Sequence, residues 1–219
     1  MDTGISGKCL VHNINLLAKS KAFNEKTVTA DIKDVESVVI SHGHSDHFNG
    51  LKTFLNIYPK KIPVHVHPSA FVKRRFKHDN GACEPMILFD ESSIQKLGAI
   101  IKKKKTPYII TAGLIYVSGQ VERTNNFEIG SLSLEANIDN KWVTDPFPGP
   151  DMDTARSTIT EMKKKSPDYV IPMHCTGMRA INLFSSQMPN QFILNSVGTT
   201  YLFNCNCAKT KKSGATKQC

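Results

Sequence analysis

Apolar and polar positions along this chain alternate between strand-like and helix-like rhythms. Asp34 to Ile40 reads as a strand closing on Val38-Val39-Ile40, a short apolar run suited to burial. Gly50 to Tyr58 has helical spacing, and Ile62 to Val66 alternates as a strand that stops at His67-Pro68. Downstream, the pattern predicts a short basic helix over Ser69 to Phe76 with Ser69 as N-cap, then a strand over Met86 to Phe89. Ser92 to Lys105 reads as a helix whose lysines gather at its C-terminal end, where the helix dipole favours cations. Tyr108 to Val117 reads as a strand broken at Gly113, and the aperiodic, Asp-, Pro- and Gly-rich stretch from Ile138 to Pro150 as a loop. Asp153 is placed as the cap of a helix on which Ile159 and Met162 share a face. Tyr169-Val170-Ile171 is then a strand delivering Pro172 to Gly177. Near the start, Cys9 to Leu17 is a short helix or strand. Strands and helices alternate throughout, so the fold class is α/β.

Composition narrows this only a little. The 219 residues suit one domain with a tail: residues 1–203 as the domain, and 204–219 as a disordered, basic, cysteine-containing tail. No apolar run approaches a membrane span and the N-terminus lacks signal-peptide character, which points to the cytoplasm and away from a membrane partner. The six cysteines form no Cys-x-x-Cys knuckle and are expected to be reduced thiols. A net charge of +9 comes largely from lysine clusters at Lys102 to Lys105, Lys163 to Lys165 and around Lys211. No aromatics interleave with these lysines as stacking platforms, which argues against a nucleic-acid partner. An anionic small substrate explains the field equally well.

The chemistry lies in Ser41-His42-Gly43-His44-Ser45-Asp46-His47, three histidines and a carboxylate in one short loop at a strand end. Imidazole and carboxylate are ligands for zinc and for borderline metals such as iron or manganese. A His-x-His-x-Asp-His string after an apolar strand, with Asp2-Thr3-Gly4 upstream, resembles the metallo-β-lactamase superfamily. That resemblance implies an αβ/βα four-layer sandwich with a metal site at one edge of its two sheets. More narrowly, Asp2 to Gly4, Ile40 to Gly50, Val66 to Phe71, Ser118 to Arg123, Phe127-Glu128, and Pro172 to Gly177 with Val197-Gly198 resemble a pterin branch. That branch is typified by a dihydropterin ribofuranosylaminobenzene phosphate synthase of methanopterin biosynthesis.

The chain departs from that pattern. Family members carry a Gly-Cys-Ser-His type motif before the terminal His-Cys-Thr-Gly, whereas no histidine stands between His78 and His174 here. The expectation is an incomplete sandwich, with the first strand and one internal strand-loop block missing. By position, the resemblance implies that His42 and His44 form a two-ligand half-site, while Asp46, His47 and His174 form a three-ligand site. One metal is therefore expected rather than two, with zinc the first choice and iron or manganese the alternatives. Asp2 is expected to hydrogen-bond a ligating histidine. No bridging carboxylate is identifiable, Asp145, Asp151 and Asp153 being the candidates in the right region.

Arg123 is the candidate for pairing with a substrate anion, and Thr176 with Gly177 for binding phosphate if a helix begins at Met178. Cys175 reads as a small buried residue, and His65 and His67 as structural. Asp46, His174 and Arg123 are thus the expected catalytic set. They would serve a metal-dependent, hydrolase-type enzyme using metal-activated water or Lewis-acid chemistry on an anionic, phosphorylated, pterin-like substrate. The alternative is a catalytically silent, truncated relative that keeps the fold and a partial metal site. Exposed sheet edges would favour self-association.

Overall fold

A computed structural model describes residues 2–19, 32–128, 130–145, 152–197, 199 and 201. The expected tail, residues 204–219, and the candidate carboxylate Asp151 lie outside them. In chain order the elements are α1 (Gly7–Lys19), β1 (Val38–Val39), α2 (Ser45–Phe48), α3 (Leu51–Ile57), β2 (Ile62–Val66), β3 (Arg74–Lys77) and β4 (Cys83–Pro85). They continue with α4 (Glu91–Lys96), β5 (Ala99–Lys103), β6 (Tyr108–Ile110), β7 (Ile115–Val117), β8 (Ser131–Ile138), β9 (Lys141–Asp145), α5 (Met152–Lys165) and α6 (Met178–Gln187). The architecture is mixed α/β, as the alternation of patterns implies.

Strands β1, β2 and β5 form a parallel sheet in that order. Along β2, Ile62, Val64 and Val66 are buried on one face while Pro63 and His65 take the other, as a period of two requires. Phe48, Leu51, Phe54 and Leu55 from α2 and α3 pack with this face, joined by Phe89 and by Ile94 of α4. Phe48 and Phe89 stack at 4.3 Å. A second, antiparallel sheet runs β4-β3-β8-β9. Helices α5 and α6 share a smaller core of Ile159, Val170, Phe184 and Met188, with Met162 against it, so Ile159 and Met162 do share a packed face.

Several expectations about local structure are overturned, among them the strand Tyr169-Val170-Ile171, where Val170 makes only a single bridge to Phe192. Ser69 to Phe76 is not a helix: Pro68–Phe71 makes one tight turn, capped by His67 rather than Ser69, and the chain then enters β3. Ser92 to Lys105 is not one helix either. Gly98 takes φ 102°, a left-handed conformation that ends α4, and the chain re-enters the parallel sheet as β5. Lys103 therefore sits on a strand, paired with Glu91 at 2.6 Å, rather than at a helix end. Met86 to Phe89 is irregular, the neighbouring strand being Cys83–Pro85. Residues 141–145 are not loop but β9, the return strand of a hairpin whose turn at Asp139 and Asn140 uses positive φ at both positions. The Tyr108–Val117 segment is a hairpin folded at Thr111–Gly113, where the break at Gly113 is expected.

Gly43 allows the histidine loop to lie flat against the turn before β3. A Cβ there would run into Ala70 O, stand 2.7 Å from Ala70 Cα and crowd the Arg74 guanidinium. Backbone cannot yield as a flexible side-chain end can. Gly43→Ala is expected to cost about 1–3 kcal/mol, the usual scale of overpacking, measured by urea unfolding. An unchanged midpoint would contradict this close approach.

Candidate metal centre

The loop from Ser41 to His47 leaves β1 at the C-terminal edge of the parallel sheet and turns into α2. It is fastened to the N-terminal segment. Thr3 N donates to His47 O at 2.7 Å, Thr3 Oγ1 donates to the same oxygen at 3.1 Å, and Gly50 N donates to Gly4 O at 2.9 Å. These bonds deliver the Asp2 carboxylate beneath the histidines. Asp2 Oδ2 lies 2.7 Å from His47 Nδ1 and accepts from Ser41 Oγ at 2.7 Å, while Oδ1 accepts from Ser41 N at 2.7 Å. Burial works to raise the Asp2 carboxyl, but hydrogen bonds from His47 and Ser41 outweigh it and hold it below its ordinary value. An ionised carboxylate only accepts, so the proton on this bond belongs to His47 Nδ1. Nε2 is then the nitrogen left to face other groups.

Two triads of ligand-type side chains converge on His47, Asp46–His47–His174 and His42–His47–Cys175, with ligand atoms within 4.8 Å of one another in each. Asp46 Oδ2 is 3.5 Å from His47 Nε2 and 3.8 Å from His174 Nε2. Cys175 Sγ is 3.1 Å from His47 Nε2 and 3.6 Å from His174 Nδ1. Such spacings are those of ligands around one small cation, roughly 3.4 Å for N···N and 3.6 Å for N···S at tetrahedral zinc. The donor set also fits: a buried imidazole, its far nitrogen held by a carboxylate, beside further imidazole, carboxylate and thiol groups. His174 and Cys175 come from the turn His174–Thr176 that leads into α6, so these ligands reach the centre from the far end of the chain.

His44 stands outside both triads. It is buried, with Nδ1 3.1 Å from His42 Nε2 and Nε2 3.1 Å from Asp145 Oδ2. Asp145, on the unexpected strand β9, also accepts from Arg74 Nε at 2.8 Å. Arg74 is itself buried, and its guanidinium further donates to Ala70 O at 3.1 Å and Ser69 O at 2.9 Å. Asp145 thus orients His44 from behind. Asp153 lies in the first turn of α5.

Residues 13–115 match the sequence profile of the metallo-beta-lactamase superfamily. The matched stretch holds the histidine loop and the whole parallel sheet. It is also similar, at 26% identity over 230 residues, to the 7,8-dihydropterin-6-methyl-4-(beta-D-ribofuranosyl)-aminobenzene-5'-phosphate synthase of Methanocaldococcus jannaschii. That alignment covers 78% of this chain and 76% of the relative. A solved metal-dependent hydrolase of the beta-lactamase superfamily superposes with a TM-score of 0.62 at 15% identity, over 90% of this chain and 86% of the other, which shows the shared fold.

Within this metallo-beta-lactamase fold, the remaining candidates fall as follows. Arg123 is exposed, and its Nη1 donates to Glu128 O at 2.8 Å, which ties its own loop. Thr176 and Gly177 do precede a helix starting at Met178. A cavity of about 820 Å³ has Phe127, Met162, Tyr169 and Phe184 on its apolar wall and Cys175 with Thr176 on its lining. Cys175 is only partly buried, and its basic partner His47 is 128 residues away in sequence, which is why inspection of its neighbours misses it. Arg74 and Asp145 are equally invisible to short-range reading. His67 Nδ1 accepts from Ser69 N at 3.1 Å, a structural role, and His65 stacks on Tyr108 at 5.4 Å.

The charges here predict an unusual pH response in the metal-free protein. Burial, then the charges of His47 and His44, lower His42 from 6.5 to about 3. Below 6.5 the unfolded chain takes up a proton that the folded chain refuses, so stability falls as pH drops through that window. Asp145 is lowered from 3.8 to about 2, burial opposing the shift and His44 and Arg74 driving it, and adds a loss over that lower range. His47 has the opposite sign. Burial works to lower it, but Asp2 and Cys175 raise it from 6.5 to about 10, so its contribution is full below 6.5 and is lost as pH rises toward 10. Chelator-treated protein is expected to be most stable near pH 6.5, by thermal melts from pH 4 to pH 10. A profile rising steadily to pH 9 would show that Asp2 does not hold the His47 proton.

Proposed function

We propose that this chain is a metal-dependent, hydrolase-type enzyme acting on an anionic, phosphorylated, pterin-like small molecule. The observation that carries this reading is the Asp46–His47–His174 triad, with Asp2 on the remaining ring nitrogen of His47. A divalent ion held there, zinc first and iron or manganese next, would supply a water acidified toward about pH 7 and a Lewis acid for a phosphoryl or carbonyl oxygen. Asp2 holds the His47 ring in one tautomer and orientation. Asp46, with a half-exposed side chain, is placed to accept a proton from an incoming nucleophile. The apolar wall beside Cys175 and Thr176 suits a flat ring system, and the Thr176 hydroxyl at the start of α6 suits an anionic substituent.

The similarity to a synthase of pterin biosynthesis supports the substrate class. No helix among the described residues is long and apolar enough to cross a membrane. The test is turnover of phosphorylated pterins and aryl phosphates by metal-loaded and chelated protein. Chelation is expected to abolish turnover, metal to restore it, and Asp46→Ala to lower it on the order of 100-fold or more. Stoichiometric metal without turnover of any of these substrates would favour the silent relative.

A further inference from the structure

We propose that Cys175 is a ligand of the metal ion, its thiolate completing a single-ion centre built on His47 Nε2. This rests on the metal-dependent reading above and specifies the ligand shell of that same site. Three observations carry it. First, His47 Nδ1 is engaged by the Asp2 carboxylate at 2.7 Å, leaving Nε2 as the coordinating atom. An imidazole nitrogen has one lone pair in the ring plane and binds one metal ion. The two triads therefore cannot each hold an ion through His47, and they describe one centre rather than two.

Second, Cys175 Sγ approaches that same Nε2 more closely, at 3.1 Å, than the Asp46 carboxylate does at 3.5 Å. A sulfur and a nitrogen on one tetrahedral zinc stand roughly 3.6 Å apart, so the pair opens by a few tenths of an ångström to admit the ion. Third, His42 lies on the same side. Its ring centroid is 3.9 Å from that of His47, and its ligand atom is within 4.8 Å of those of His47 and Cys175. The result is one centre in which His42 and Cys175 join His47 on the inner side, with Asp46 and His174 closing it on the exposed side. On coordination the thiol proton leaves to solvent and the sulfur lone pair forms the bond. A thiolate softens the site and favours zinc over manganese.

Cobalt(II) reports sulfur ligation directly through a thiolate-to-metal charge-transfer band in the near ultraviolet. The full chain, loaded with cobalt, is expected to bind one equivalent and to show this band. Cys175→Ser is expected to lose the band and to bind cobalt at least ~10–100-fold more weakly, the scale seen for losing even an outer partner of a ligand. Mutating Cys205, Cys207 and Cys219 together is expected to leave the band in place. If Cys175→Ser fails to fold, alkylation of the wild type decides: cobalt is expected to shield Cys175, and not Cys9 or Cys83, from iodoacetamide. Cobalt bound without the band and without shielding would overturn the thiolate ligand while leaving a metal-dependent enzyme in place. Failure to bind cobalt at all would overturn both.

Discussion

Replacing His47 by alanine is expected to reduce bound metal from about one equivalent to background, measured by elemental analysis of purified protein. His47 is the member common to both triads, it is buried, and its far nitrogen is held by Asp2. Without it, the centre loses the one buried imidazole shared by both triads, so the two pairs of groups left have no common ligand to gather them around an ion. The same change leaves Asp2 beneath an emptied position, still bonded to Ser41, so the loop keeps part of its anchoring. Asp2→Asn separates orientation from ligation. It preserves all ligand atoms and is expected to weaken metal binding by ~10–100-fold, as loss of a carboxylate partner of a ligating histidine does. If His47→Ala still retains a full equivalent, the centre lies elsewhere.

The second large effect is structural. Arg74→Leu is expected to destabilise the protein by about 3–5 kcal/mol, read from urea unfolding, because it takes the guanidinium from the buried Asp145 carboxylate, which His44 still faces. Asp145 has 3% of its surface exposed and Arg74 9%, so water cannot replace the lost guanidinium. The change also removes the donors to Ala70 O and Ser69 O that hold the turn before β3 against the histidine loop. Replacing both residues with apolar ones is expected to cost less than Arg74→Leu alone, since the buried carboxylate goes with the guanidinium. His44 would then lose its carboxylate, so the double variant could recover stability without recovering metal affinity. An Arg74→Leu cost below about 1 kcal/mol would mean that this pair contributes little to the fold.

The parts of this molecule legible in its sequence are those whose physics is local. The parallel strand at Ile62–Val66, the helix at Leu51–Ile57 and the packed face of Ile159 and Met162 follow from side-chain period alone. The errors share one cause. Ser69 to Phe76 and Ser92 to Lys105 have acceptable helix formers, but sheet partners were available, and the left-handed Gly98 marks where the second segment leaves its helix. Strand β9 has little alternation to detect because it exposes four of its five residues and buries only the last, Asp145.

The sequence by itself determined the chemistry of the loop. Three histidines and an aspartate between a strand and a helix are ligand-type groups whatever surrounds them, and they lie within the stretch that matches the superfamily's profile. Only the tertiary structure decided how these groups are divided. It placed Asp2 on His47, turned His44 toward Asp145 and Arg74, and brought Cys175 to within 3.1 Å of His47. Each of these contacts joins residues more than 40 positions apart. The physical reason is that residue type sets what a side chain can bind, whereas long-range backbone pairing and burial set which partner it meets and from which nitrogen.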